Sequence, residues 1–242
     1  MGVRGLSQTG VSVIGIALLA TLAGCSSLSR DWRPDTSPTA GPASVVQGPM
    51  RPGARDEEAA LPLAIASARP YVDEVAVAVD SRTTDRTREV AENARVFDVQ
   101  FVDFAQMRQT LFRAMTADWV LMLDADEILE GDPRPLMRTR VIWELPRHHW
   151  TDFARTIPAN FDRHYPDYQR RLMPNDPRIH FVRPVHETAV GLKLRKAQYP
   201  ILHHFKEALR SPETLEDRRQ LYSTLVKRGL EAGFRFRKGK DY

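Results

Sequence analysis

Trp119-Val120-Leu121-Met122-Leu123 is an unbroken hydrophobic run that ends in Asp124-Ala125-Asp126-Glu127. If the run is a strand, alternation sends the Asp124 and Asp126 carboxylates to one side and Ala125 to the other. Two carboxylates so placed repel unless a cation lies between them or one takes a proton. A hard divalent ion, Mg²⁺ or Mn²⁺, is commonly held by one or two carboxylates plus substrate phosphates. A second apolar run, Val72 to Val79, ends at Asp80, with Asp85 five residues on. Ligands of open α/β sheets gather at the carboxyl ends of strands. Two acidic strand ends therefore predict that the acids converge on one cation bridging a diphosphate. For a single acidic triplet the plain alternative is a helix cap or a solvated turn.

The elements that must hold these acids follow a regular rhythm. Asp56-Glu57-Glu58 and then Ala59 to Ala68 read as a helix with acids at its positive end, with Pro62 in its first turn or kinking it. Val72 to Val79 reads as a buried strand. It is followed by a polar turn, a helix through Ala94, an apolar piece at Val96 to Val99, a helix from Phe104 to Thr116 and the strand from Trp119. This alternation predicts an α/β fold with a mostly parallel sheet and helices on both faces. Ser211 to Leu230 reads as a covering helix with Ser211 as N-cap, Pro212 at its first position and a stripe of Leu215, Leu221, Leu225 and Leu230.

The first 25 residues stand apart. Arg4 precedes an apolar stretch from Val11 to Ala23 that ends in Leu22-Ala23-Gly24-Cys25. It is short for a bilayer span and fits a secretory h-region, and Leu-Ala-Gly-Cys resembles a bacterial lipobox. The expected division is residues 1–25 as signal segment or anchor and 26–55 as a Pro/Gly-rich linker that includes a degenerate first strand. Residues 56–230 form the catalytic domain and 231–242 a basic tail. That tail interleaves Phe234 and Phe236 with Arg and Lys, as a segment facing anionic headgroups would.

Several ordered motifs resemble the family 2 glycosyltransferases with the GT-A nucleotide-sugar fold. They are Arg55-Asp56-Glu57-Glu58, Tyr71-Val72-Asp73-Glu74-Val75, Asp80-Ser81-Arg82-Thr83-Thr84-Asp85-Arg86-Thr87, Asp103-Phe104 with Arg108, Asp118 through Glu127, Asp167-Tyr168-Gln169-Arg170-Arg171-Leu172 and Val185-His186-Glu187. The resemblance spans about Ser44 to Leu230. It implies a GT-A-like, Rossmann-type sheet and inverting sugar transfer from a nucleoside-diphosphate sugar to a glycan, lipid or protein hydroxyl, with Mg²⁺ or Mn²⁺ as cofactor. It assigns Glu57, Asp80, Asp85, Arg108 and Asp124 to the donor, and Asp124, Asp126 and His204 to the metal. Arg171 becomes a phosphate or acceptor clamp. Glu187 becomes the base that takes the acceptor's proton, with His186 orienting it or binding acceptor oxygens. Two departures stand out: Arg82-Thr83 is bulkier than the family's usual glycine turn, and Gln47-Gly48-Pro49-Met50-Arg51-Pro52-Gly53 puts prolines where a first parallel strand needs donors. His148-His149 reads as a partly exposed pair at a strand end.

Composition narrows the field further. The 242 residues carry 35 Lys and Arg against 31 Asp and Glu, a net +4 too thin for a nucleic-acid partner. A hydrophobic share of 42% and a charged share of 27% exclude general disorder and a multi-span membrane protein. Cys25, the single cysteine, excludes internal disulfides and thiolate zinc sites. The competing function is an exported lipoprotein that keeps this shape but only binds carbohydrate, because nucleotide sugars are made in the cytoplasm. A nucleotidyltransferase on a similar sheet is a weaker reading, since no glycine-rich, basic phosphate loop near the first strand supports it. Location follows the leader: membrane-associated on the cytoplasmic face if it is retained, in the cell envelope if the lipobox is real.

Overall fold

The structure, a computed structural model, describes residues 14–20, 57–83, 85–91, 94–205 and 212–235. Seven strands form the main sheet: β1 (Ile14–Ala20), β2 (Glu74–Asp80), β3 (Arg95–Val99), β4 (Trp119–Asp124), β6 (Ile142–Leu145), β8 (Gln169–Pro174) and β11 (Leu194–Lys196). Their spatial order is β11-β6-β8-β4-β1-β2-β3. β1, β2, β3 and β4 run parallel, as do β6 and β11, while β8 is antiparallel to both its neighbours. A second sheet of three strands joins β5 (Glu127–Glu130), β12 (Ile201–His204) and β7 (Arg147–His149). A two-stranded ribbon pairs β9 (His180–Val182) with β10 (Thr188–Val190).

The main sheet is buried on both faces, and strand alternation decides which residue meets which helix. Val75, Val77, Val79, Leu121 and Leu123 pack with Leu61, Ala64 and Ala68 of α1 (Glu57–Ala68). Ala76, Ala78, Val120 and Met122 face the other way, against Met107, Leu111 and Phe112 of α3 (Phe104–Ala114). Each of those last three side chains gains about 1.5–3 kcal/mol by full burial. Asp103 caps α3, its carboxylate accepting the Gln106 N–H at 2.8 Å. The α/β class with a mostly parallel, doubly covered sheet is the one expected.

Three elements differ from expectation. The run read as an h-region supplies β1, an interior strand between β4 and β2, with Ile16 and Ala17 fully buried. A fully buried parallel strand is an uninterrupted apolar run with no period of its own, so sequence pattern alone does not separate it from a leader. The degenerate strand expected before residue 53, Cys25, the linker and the tail from 236 lie outside the described residues. The helix expected through Ala94 shrinks to α2 (Thr87–Val90). In α4 (Pro212–Glu231), Tyr222, Leu225 and Val226 pack against Phe104 and Val185, whereas Leu230 of the expected stripe is exposed. Among the described residues, no helix is long and apolar enough to cross a membrane.

Candidate active site

The acids at the ends of β2 and β4 do not meet. β1 lies between these strands, with Leu19 opposite Asp124 and Ala20 opposite Val79. Two strand spacings separate Asp80 from Asp124 by about 10 Å. The Asp80 carboxylate is clamped by its own turn: Arg82 donates Nη2 to Oδ2 at 2.6 Å and its backbone N–H to Oδ1 at 3.0 Å. The expected convergence of both acidic turns on one cation is therefore corrected. Asp80 belongs to a separate turn, where Asp85 accepts the Thr87 N–H at 3.0 Å and where Glu58, beside the buried Glu57 at the start of α1, accepts the Arg86 N–H at 3.2 Å.

Asp126 and His204, 78 positions apart, do meet, with His204 Nε2 3.2 Å from Asp126 Oδ2. Register explains the contact. β12 runs antiparallel to β5 with His204 opposite Glu127, and the Phe205 N–H donates to the Asp126 carbonyl at 3.0 Å. The second oxygen of Asp126, Oδ1, is buried and has no hydrogen-bond partner among the described residues. Asp124 is differently occupied. Arg108 bonds its Oδ1, and Arg171 donates to Oδ2 at 2.6 Å.

From Asp124 a charge network runs through the buried interior. Arg171 also donates to Glu127 Oε1 at 2.7 Å, and Arg147 reaches the same oxygen at 2.6 Å. Arg147 holds Asp167 Oδ2 through Nη2 at 2.6 Å and Nε at 3.0 Å. At the other end Arg108 Nε pairs with Glu187 Oε1. Alternation along β8 explains why Arg171 enters this network, whereas Arg170 turns away to Glu144 at 3.2 Å and the Ala189 carbonyl at 2.8 Å. Charges this deep persist only when paired, and here each has an opposite neighbour.

These pairs shift protonation in readable directions. Burial would raise the Glu187 carboxyl, but the Arg108 guanidinium outweighs it and holds the group below the ordinary range. Asp167 behaves alike: burial is overcome by Arg147 and His149, which keep it well below the usual carboxylate range. Burial pushes the His149 imidazole down, opposed in part by Asp167. Arg171 is raised by Asp124 and Glu127 despite burial.

Glu187 sits on a loop that neighbouring elements force into shape. Arg183 and His186 both adopt left-handed backbone, at φ 76° and 52°. Such residues cost on the order of 1–3 kcal/mol each and persist only where the surroundings fix them. Here the Pro184 carbonyl accepts the Phe104 N–H at 3.1 Å, and Val185 is buried under α4. The His186 ring faces Tyr222, 6.1 Å away. Between this loop and β8 lies a cleft of about 150 Å³, lined by Arg108, Tyr168, Arg171, Glu187 and Thr188 among others.

Sequence reading missed Arg147, Asp167, Glu127 and His149 as site members. His149, expected to be partly exposed, is only 5% exposed, while His148 is half-buried and stacks on Tyr165 at 3.7 Å. The detectable signal was the pair of His-His dipeptides: β7 and β12 run parallel with His148 beside His203 and His149 beside His204.

Among the described residues, no group of three or more His, Cys, Asp or Glu side chains could hold a metal alone. The Asp126 and His204 donors, with one carboxylate oxygen unpartnered among the described residues, fit a divalent cation, whose remaining ligands would have to come from elsewhere.

Residues 54–136, from just before α1 to just past β5, match the family model described as Glycosyl transferase family 2. A TPR repeat-containing protein of Synechococcus elongatus is 30% identical over 189 residues, covering 70% of this chain and 45% of that protein. Among solved structures, glucosyl-3-phosphoglycerate synthase from Mycobacterium tuberculosis, in complex with Mn²⁺, UDP and glucosyl-3-phosphoglycerate, superposes with a TM-score of 0.36 at 20% identity. That match covers 57% of this chain and 44% of the other. S. aureus TarS superposes at 0.47 and 12% identity, over 87% of this chain and 39% of its own. The chain spans less than half the length of each of these three proteins.

Proposed function

We propose that the chain is a metal-dependent, inverting glycosyltransferase that moves a sugar from a nucleoside-diphosphate donor to a hydroxyl of a glycan, lipid or protein. The family match over residues 54–136 supports the reaction class. The observation that carries the reading is the 3.2 Å approach of His204 to Asp126 at the carboxyl end of β4. These two residues would hold Mg²⁺ or Mn²⁺. When bound, such an ion neutralises the departing diphosphate as a Lewis acid. Arg108 and Arg171 fix the Asp124 carboxylate through hydrogen bonds to its two oxygens, leaving Asp126 to face the cation. Asp80 and Asp85, across β1, bound the base and ribose side, with Glu57 at the start of α1. Glu187 lines the acceptor cleft as a carboxylate that needs no prior deprotonation, so it can accept the hydroxyl proton as the new bond forms.

The role of β1 also bears on location. The place of residues 14–20 in the sheet supports the membrane-associated, cytoplasmic-face location, where nucleotide sugars are made. A second reading, a domain that binds carbohydrate without turnover, is favoured by one observation: Arg108 already engages both Asp124 and Glu187. Asp126→Asn assayed for UDP-sugar hydrolysis with and without Mn²⁺ decides between them. Turnover is expected to fall at least ~10²-fold in the variant. Equal, metal-independent turnover in both proteins overturns the transferase reading.

A further inference from the structure

The Asp126–His204 contact joins two groups that both offer lone pairs, and what faces the far side of the His204 ring decides how they share a proton. His204 Nδ1 lies 3.0 Å from His149 Nδ1. A hydrogen bond between two ring nitrogens needs one donor and one acceptor, so the two Nδ1 atoms cannot both carry protons. The other nitrogen of His149, Nε2, lies 3.0 Å from Asp167 Oδ2. That carboxylate is an acceptor only, and Arg147 already supplies its compensating cation through two bonds to the same oxygen. His149 therefore donates from Nε2, and a neutral His149 must accept at Nδ1. His204 then carries its proton on Nδ1, and its Nε2 presents a lone pair toward Asp126 Oδ2. The backbone fixes this order of atoms, because parallel pairing of β7 with β12 sets His149 beside His204 and antiparallel pairing of β12 with β5 sets His204 at the Asp126 turn.

We propose that Asp167 and His149 are positioning residues that set the tautomer of His204, so that its Nε2 and the Asp126 carboxylate together present two lone pairs to a divalent cation. This inference rests on the metal-holding role proposed above for Asp126 and His204. Outer partners of this kind commonly govern metal affinity by about 10–100-fold. His149→Phe keeps the ring volume and removes the acceptor. His149→Asn keeps an oxygen near the position of Nδ1.

The test is a Mn²⁺ titration of the full chain in the presence of UDP, reading free Mn²⁺ by electron paramagnetic resonance, for wild type and both variants. Affinity is expected to drop about 10–100-fold in His149→Phe and to be largely restored in His149→Asn. Equal affinity in wild type and His149→Phe overturns the relay alone. Absence of Mn²⁺ binding by wild type overturns the metal-dependent reading and the relay with it. Long-range ¹H–¹⁵N spectra of the wild-type imidazoles give a measurement that needs no variant to fold. A His204 proton on Nδ1 supports the relay, and one on Nε2 overturns it.

Discussion

At the scale of single residues, the site couples catalytic readiness to electrostatic cost. Glu187 owes its ionised state to Arg108, and a carboxylate held below its usual range is a correspondingly weaker proton acceptor. Arg108 is buried, and among the described residues its charge is matched by Asp124 and Glu187, while Nη1 has no hydrogen-bond partner. Glu187→Gln keeps the shape and removes both the base and half of that match. Turnover is expected to fall about 10²–10⁴-fold, accompanied by a lower urea midpoint. Turnover within about threefold of wild type would remove Glu187 from the base role. The individual acids were legible in the sequence because they end apolar runs, and ligands of open α/β sheets gather at the carboxyl ends of strands. Their arginine partners were not, because a residue type does not reveal which cation it will meet in a low-dielectric interior. Arg171, expected as a ligand clamp, gives its Nη2 to both Asp124 and Glu127 while it also lines the cleft.

At the scale of elements, register does most of the positioning. Pairing β12 with β7 and β5 aligns two His-His dipeptides and brings residue 204 to residue 126. The order of helices and strands between residues 57 and 124 was readable from periodicity. Pairing across gaps of more than fifty residues was not, since nothing local encodes it. β1 marks the same limit: its apolar run suits a leader as well as a buried strand, and only its place between β2 and β4 distinguishes them. Removing residues 1–24, as cleavage before Cys25 would, takes β1 away and leaves the facing backbone groups of β2 and β4 unpaired. Each buried unsatisfied group costs on the order of 1–3 kcal/mol, so the total exceeds the stability of an ordinary domain. The truncated chain is expected to show no cooperative unfolding transition by circular dichroism. A cooperative transition with the wild-type midpoint would return residues 1–24 to the role of a dispensable leader.

At the scale of the whole molecule, the buried network makes stability a function of pH with a defined sign. His149 and His203 are held below the ordinary imidazole value of 6.5, chiefly by burial. Glu187 lies below 4.5 through Arg108, and Asp167 below 3.8 through Arg147 and His149, in both cases against the effect of burial. In every case the folded state binds its proton at lower pH than the unfolded chain does. The unfolded state thus carries more protons on the acid side, and stability rises with pH wherever that holds. Above pH 6.5 these four groups contribute no slope. Stability should first decline below 6.5, as unfolded histidines charge and folded ones resist. It should decline more steeply below about 4.5, as the carboxylates that anchor Arg108 and Arg147 are titrated in the unfolded chain. Because the pairs are buried, moderate salt should move this profile little, unlike one set by surface pairs. Urea midpoints at pH 8, 6 and 4, at low and high salt and with constant m-values, check the claim. A midpoint that rises from pH 7 to pH 5, or a profile flattened by salt, would mean that the network is not the desolvated lattice on which both the proposed base and the proposed metal site depend.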